Sequence, residues 1–295
     1  MNGHGRLITA ITIVVVLSAL AYLGSKGMLS TSTGKDAPKR LGYEESADTP
    51  PPRLSLGLSG NPSSTHGRRG ANILEASDRV QVLPGRAVDV VNGLRPAADS
   101  GDPKAALGIY LKLRPCIEAL KPIDESQLRL YREKGLNQKA LLEGYEARMQ
   151  ECEGASAMVS ERGKWLEQAA DAGNLEAQLL YVADVNAVIG DEADIVRNPE
   201  RAKQWRTKAL RYLDTLVSQG NVDAMLSLSG KYGSGFVVQH DPVKAYALAR
   251  AARLARPDQV PEALIDSYRK QLQVNQQREA EDLGRSIYDS CCSKR

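Results

Sequence analysis

Four cysteines, Cys116, Cys152, Cys291 and Cys292, are the side chains whose chemistry is most legible in this 295-residue chain. Bridging Cys116 to Cys152 would close a loop of about 36 residues and stabilise the fold by about 3 to 4 kcal/mol through lost entropy of the unfolded chain. That bridge is expected in an oxidising compartment; in a reducing one the two are buried free thiols. The adjacent Cys291 and Cys292 can bridge each other, pair separately or link two chains, and their spacing does not choose. A link between chains is therefore open but not predicted. No Cys-x-x-Cys pair and no histidine neighbour mark a catalytic or metal-bound thiol, since His4, His66 and His240 are scattered. Ser32 and Lys35, like Ser267 and Lys270, have the spacing of a serine nucleophile with a lysine base. The first pair falls in a segment too polar to hold it rigidly, and the second reads as ordinary helix surface. The chain has no Gly-x-Ser-x-Gly elbow, phosphate-binding glycine loop, His-Glu-x-x-His or dinucleotide fingerprint. No catalytic residue, cofactor or metal site is expected, and the protein is read as a non-enzyme. The acidic stretch Ile189–Asp194 lacks the alternating ligand ladder of a calcium loop and reads as a solvated loop.

Charge and composition narrow the partners. The net charge is +3, with basic residues spread along the chain, so neither nucleic acid nor an anionic lipid surface has electrostatic support. Aromatics make up only 5%, which with abundant Ala and Leu favours close helix packing over a β-sandwich.

The elements that would carry these residues begin with residues 7–24, an uncharged apolar run after a short tail, residues 1–6. As a helix it would span about 27 Å, close to a bilayer's hydrocarbon core. It reads as a transmembrane anchor; the alternative is a cleaved signal peptide, for which Ala19-Leu20-Ala21 offers small residues. Only Arg6 and the α-amino group precede the run, whereas Lys26, Lys35, Lys39 and Arg40 follow, so charge counting alone would leave the rest in the cytoplasm. The cysteines favour export instead. The expectation is a single pass through the inner membrane with the remainder in the periplasm, or a secreted periplasmic chain if the run is cleaved. Residues 25–85, rich in Pro, Ser and Gly, read as a disordered tether.

Beyond residue 85 the apolar period becomes helical, and one signature recurs. It stands as Gly101-Asp102-Pro103-Lys104-Ala105, Gly173-Asn174-Leu175-Glu176-Ala177 and Gly220-Asn221-Val222-Asp223-Ala224. The glycine can end one helix in the left-handed conformation, Asp or Asn can cap the next, and the alanine lets two helices approach. A second pattern, Asn198-Pro199-Glu200-Arg201-Ala202 with Trp205 and Ala209, matches Asp241-Pro242-Val243-Lys244-Ala245 with Leu248 and Ala252; Trp165 and Ala169 fit the same frame. Trp165 and Trp205 are read as packing residues. Between the two patterns of the last unit lie Leu228, Tyr232 and the Gly233-Ser234-Gly235 turn.

In that register the chain resembles the Sel-one-like repeat family, α-solenoid relatives of the tetratricopeptide repeats. The resemblance covers roughly residues 97–255, with the last unit nearly complete. Its repeat-defining positions are Gly101, Ala105, Trp165, Gly173, Ala177, Ala202, Trp205, Gly220, Ala224, Tyr232, Gly235, Asp241, Lys244 and Ala245. Ser229 departs from the family's helix-packing glycine and Val237 from its second loop glycine. The wide gap between Gly101 and Gly173 means a decayed repeat or a long insertion. The resemblance implies an all-α solenoid of antiparallel helix hairpins over residues 86–257, acting as a scaffold.

The remaining segments fit around it. Leu141, Tyr145 and Met149, with Leu142 beside them, give a helix face that Cys152 continues, and Cys116 closes the helix before it. Residues 258–295 read as capping helices, with Leu264, Tyr268 and Leu272 on one, and Asn275 capping another that carries Ala280, Leu283 and Ile287. The functional expectation is a membrane-tethered scaffold for a protein or peptide partner, the alternative being an accessory or glycan-binding module of an envelope hydrolase.

Overall fold

The computed structural model describes Asn72 and residues 79–293, all within the unit Leu56–Arg295. The anchor at 7–24 and most of the tether lie outside the described residues. Within these, no helix is long and apolar enough to cross a membrane. The described residues are all-α, with one isolated parallel bridge between Asn72 and Asn221. The helices are α1 Ala87–Asp99, α2 Pro103–Leu113, α3 Cys116–Ala119, α4 Glu125–Glu133, α5 Gln138–Cys152, α6 Ser156–Val159, α7 Arg162–Asp171 and α8 Leu175–Ala183. They continue with α9 Val185–Ile189, α10 Glu192–Arg197, α11 Pro199–Ser218, α12 Val222–Ser234, α13 Pro242–Ala255, α14 Glu262–Arg269 and α15 Val274–Cys291.

Local chemistry places the helix starts. Gly101, Gly173 and Gly220 have φ of +98°, +85° and +81°, a region that costs a side-chain-bearing residue steric strain. The residue after each glycine caps the next helix: Asp102 accepts from the Lys104 and Ala105 N–H groups, Asn174 from Ala177 and Asn221 from Ala224. Asp241 likewise accepts from the Lys244 N–H at the start of α13. Gly235 ends α12 in the left-handed conformation, but Gly233 and Ser234 belong to the helix, so the expected turn is shorter than its three residues.

Packing follows the chain order: α1 on α2, α2 on α7, α7 on α8, α8 on α11, α11 on α12, α12 on α13, and α13 on both α14 and α15. Because α2 packs directly on α7, residues 114–161 lie outside this succession as an insertion. Small residues permit the close approaches. A Cβ on Gly284 of α15 would come within 2.9 Å of the Ala247 carbonyl of α13, and one on Gly163 of α7 would overlap the Ala187 carbonyl of α9. Ser229, in place of a glycine, is buried and donates its hydroxyl to the Ala245 carbonyl at 2.7 Å, while Val237 packs into the core. Both departures satisfy the space they enter.

Four expectations are corrected. Cys116 opens α3 instead of closing the preceding helix, because the chain breaks at Arg114 and Pro115. Helix α5 forms, but Cys152 alone among its residues is buried, and Leu142 and Met149 face solvent because no element among the described residues covers them. The acidic stretch after Ile189 is a short helix: Asp191 and Asp194 each accept the other's backbone N–H in a capping box, which stabilises the turn they begin. Finally, α15 starts from Gln273, not Asn275, through a capping box with Gln276. One further difference concerns the tether. Residues 79–86 form no helix and run against the helices at Val80, which packs on the core, and at Leu83, whose carbonyl Lys112 holds.

Candidate interaction surface

The residues of the recurring sequence signature pack within the helix pairs and their turns. Ala105, Ala177, Ala202, Ala224, Ala245, Trp165, Trp205 and Tyr232 are buried, and the glycines Gly101, Gly173, Gly220 and Gly235 hold turns. Trp205 donates its Nε1–H to the Tyr181 carbonyl at 3.1 Å, tying α11 to α8. The Lys244 ammonium pairs with Asp241 at 3.2 Å and lies 5.2 Å from the centre of the Tyr232 ring. Cys116 and Cys152 are joined in a disulfide with a Cα separation of 5.4 Å, linking α3 to α5, and Cys291 is joined to Cys292. Ser267 is exposed on α14 and Lys270 follows its end, so that spacing builds no site.

Three other residues hold the chain ahead of α1. Lys112 of α2 is only 2% exposed, and its Nζ donates to the Leu83 carbonyl at 3.1 Å and to the Glu151 carboxylate of α5. Glu176 of α8, 8% exposed, accepts the Val80 N–H at 2.8 Å. Asn221, ahead of α12, bonds to Asn72. The Lys112 ammonium tolerates burial because Glu151 and the Leu83 carbonyl accept from it, since an unpaired buried charge costs several kcal/mol, roughly. Sequence reasoning missed all three. A lysine at a position where the helical period calls for an apolar residue, between Leu111 and Leu113, was the available signal.

A polar cleft of about 270 Å³ lies among α7, α8, α9 and α11, lined by Glu167, Tyr181, Arg201, Trp205 and Lys208 with three neighbours. The Lys208 ammonium donates to Glu167 at 2.7 Å and to Asp171 at 2.6 Å. Burial pushes its pKa down, but the two carboxylates outweigh this and hold it above the ordinary lysine value. Tyr212 donates to the second Asp171 oxygen at 2.6 Å, and its pKa rises through burial first and that bond second. Tyr181 meets Tyr212 edge to face with centroids 5.3 Å apart. From α2, Tyr110 donates to Asp184 at the end of α8 at 2.7 Å, with burial as the largest cause of its raised pKa. These charges are engaged with one another, an arrangement that fixes helix geometry.

Helix α12 presents a different situation. Lys231 stands eleven residues after Gly220, the same offset that separates Lys112 from Gly101. Its side chain is half-buried, burial pushes its pKa down, and among the described residues its ammonium has no hydrogen-bond acceptor. Phe236, the chain's single phenylalanine, is 56% exposed in the turn that follows. No protein-family model matches the chain, and no curated protein matches it.

Proposed function

We propose that this chain is a membrane-tethered α-solenoid scaffold, exposed to the periplasm, that holds an extended segment of a protein partner against its helix pairs. The observation that carries the reading is the pairing of Lys112 with Lys231. In α2 the lysine grips the main-chain carbonyl of Leu83; in α12 the lysine in the same register is half-buried without an acceptor among the described residues, five positions before an exposed phenylalanine. A partner strand supplying a carbonyl to Lys231 and an apolar side chain to Phe236 would satisfy both. The serial packing of helices supports the solenoid, and the Cys116–Cys152 bridge supports an oxidising compartment. A hydrolase-associated or glycan-binding module would gain support from carboxylates of different helices meeting in one cleft. Glu167 and Asp171 come from one helix and are both held by Lys208, so the scaffold reading stands ahead.

The test uses the full chain in its membrane, with a photo-crosslinking residue in place of the exposed Ser234. One defined protein adduct is expected, retained in Lys231→Arg and lost in Lys231→Glu, with unchanged thermal unfolding in both. An adduct pattern indifferent to Lys231 would overturn the reading. The compartment is tested separately: an alkaline-phosphatase fusion after residue 90 should be active, and an inactive fusion would reject export.

A further inference from the structure

Asn72 is fastened to the turn between α11 and α12 by four hydrogen bonds. Its N–H donates to the Gly220 carbonyl at 3.1 Å, and its carbonyl accepts the Val222 N–H at 2.9 Å, which together form the parallel bridge. Its side chain donates from Nδ2 to the Gln219 carbonyl at 3.0 Å and accepts at Oδ1 from the Asn221 Nδ2 at 2.9 Å. Asn221 is fully buried.

The turn has physical reasons to need this occupant. The Gln219 and Gly220 carbonyls stand past the end of α11, where no following helical turn supplies donors. The Asn221 Oδ1 is committed to the Ala224 N–H at 2.8 Å as the helix cap, which fixes the amide orientation and leaves Nδ2 requiring an acceptor. The turn therefore offers two donors and two acceptors in fixed order. An asparagine in extended backbone matches all four. Aspartate would set a carboxylate against the Gln219 carbonyl, and alanine would leave the Asn221 Nδ2 donor unmet.

The other two junctions show that the pattern is local. Pro103 has no N–H where Val222 donates one, and the Asp102 carboxylate has no donor to present. Asn174 caps α8 through Ala177 as Asn221 does for α12, but it remains partly exposed.

We propose that the Gln219–Val222 turn is a docking site for an extended peptide presenting an asparagine, and that the chain's own Asn72 fills it, so that a partner's asparagine enters by exchange. The site deepens the scaffold reading on which it rests by giving its partner a chemistry, although its test involves neither Lys231 nor a cellular partner. The probe is a fluorescent peptide with the sequence of residues 68–77, read by anisotropy against the full chain. Asn72→Ala should bind it at least ten-fold more tightly than the wild type does. Adding Val222→Pro should reverse that gain; proline suits the first helical position, as Pro103 shows, and Asn221 is already extended before it. Adding Asn221→Asp instead, which keeps a cap but removes the donor, should do the same. A peptide with aspartate in place of its asparagine should lose at least ten-fold. Equal binding to the wild type and Asn72→Ala, no binding by Asn72→Ala, or indifference to Val222→Pro and Asn221→Asp would each overturn the proposal.

Discussion

Helix α13 buries seven of its 14 residues, five of them alanines, whereas α4 buries none and α5 buries Cys152 alone. The two regions are held by different means. Around α13, small side chains let α12 and α15 approach closely, and polar groups close the seams: Tyr246 and Arg250 both donate to Glu281 of α15, at 2.7 and 2.9 Å. The insertion at 114–161 has little core of its own. It is closed on itself by the Cys116–Cys152 bridge and by the Tyr145 hydroxyl donating to the Lys121 carbonyl, and it is joined to α2 by Lys112 with Glu151. Burial stabilises the packed helices wherever they are; a crosslink stabilises the insertion chiefly by restricting its unfolded chain.

The contrast can be tested from both sides. Trp205→Ala should cost about 3 to 5 kcal/mol in urea-induced unfolding, since it empties a buried site and leaves the Tyr181 carbonyl without its donor. Cys116→Ser with Cys152→Ser should cost about 3 to 4 kcal/mol, and limited proteolysis should cut first between residues 120 and 150. Cleavage elsewhere would show that the insertion has a stability of its own. A smaller effect is expected at Glu281. Burial pushes its carboxyl up, but the donors Tyr246 and Arg250 hold the pKa below its ordinary value. A depressed folded value means that its contribution is complete above the unfolded pKa of about 4.3 and disappears as pH falls through the folded value. Glu281→Gln should therefore cost about 1 kcal/mol at pH 7 and flatten the loss of thermal stability below pH 4.3, roughly. An unchanged acid profile would remove Glu281 from the account. The smallest effect belongs to Leu130, 50% exposed on α4: Leu130→Ala should stay within about 0.5 kcal/mol. A cost near that of Trp205→Ala would mean that the insertion has a core after all.

Much of the helix layout was legible in advance. Gly173 and Asn174, or Gly220 and Asn221, specify where one helix stops and the next starts through groups only a few residues apart. The face of α5 misled because periodicity reports amphipathicity, not whether a neighbour arrives to cover it. The partners of Lys112 and Glu176 were illegible for a related reason. Leu83 and Val80 lie 29 and 96 residues away from them, and Asn72 lies 149 residues from Asn221. By itself, then, the sequence determined the all-helical character, the glycine-and-cap junctions and the set of cysteines, because backbone sterics and capping act over about one helical turn. The tertiary structure decided which segment covers which helix, that Cys116 meets Cys152, and that Val80 and Leu83 lie against α8 and α2. Those choices depend on distant groups competing for the same buried donors and acceptors, a competition settled only when the chain is folded.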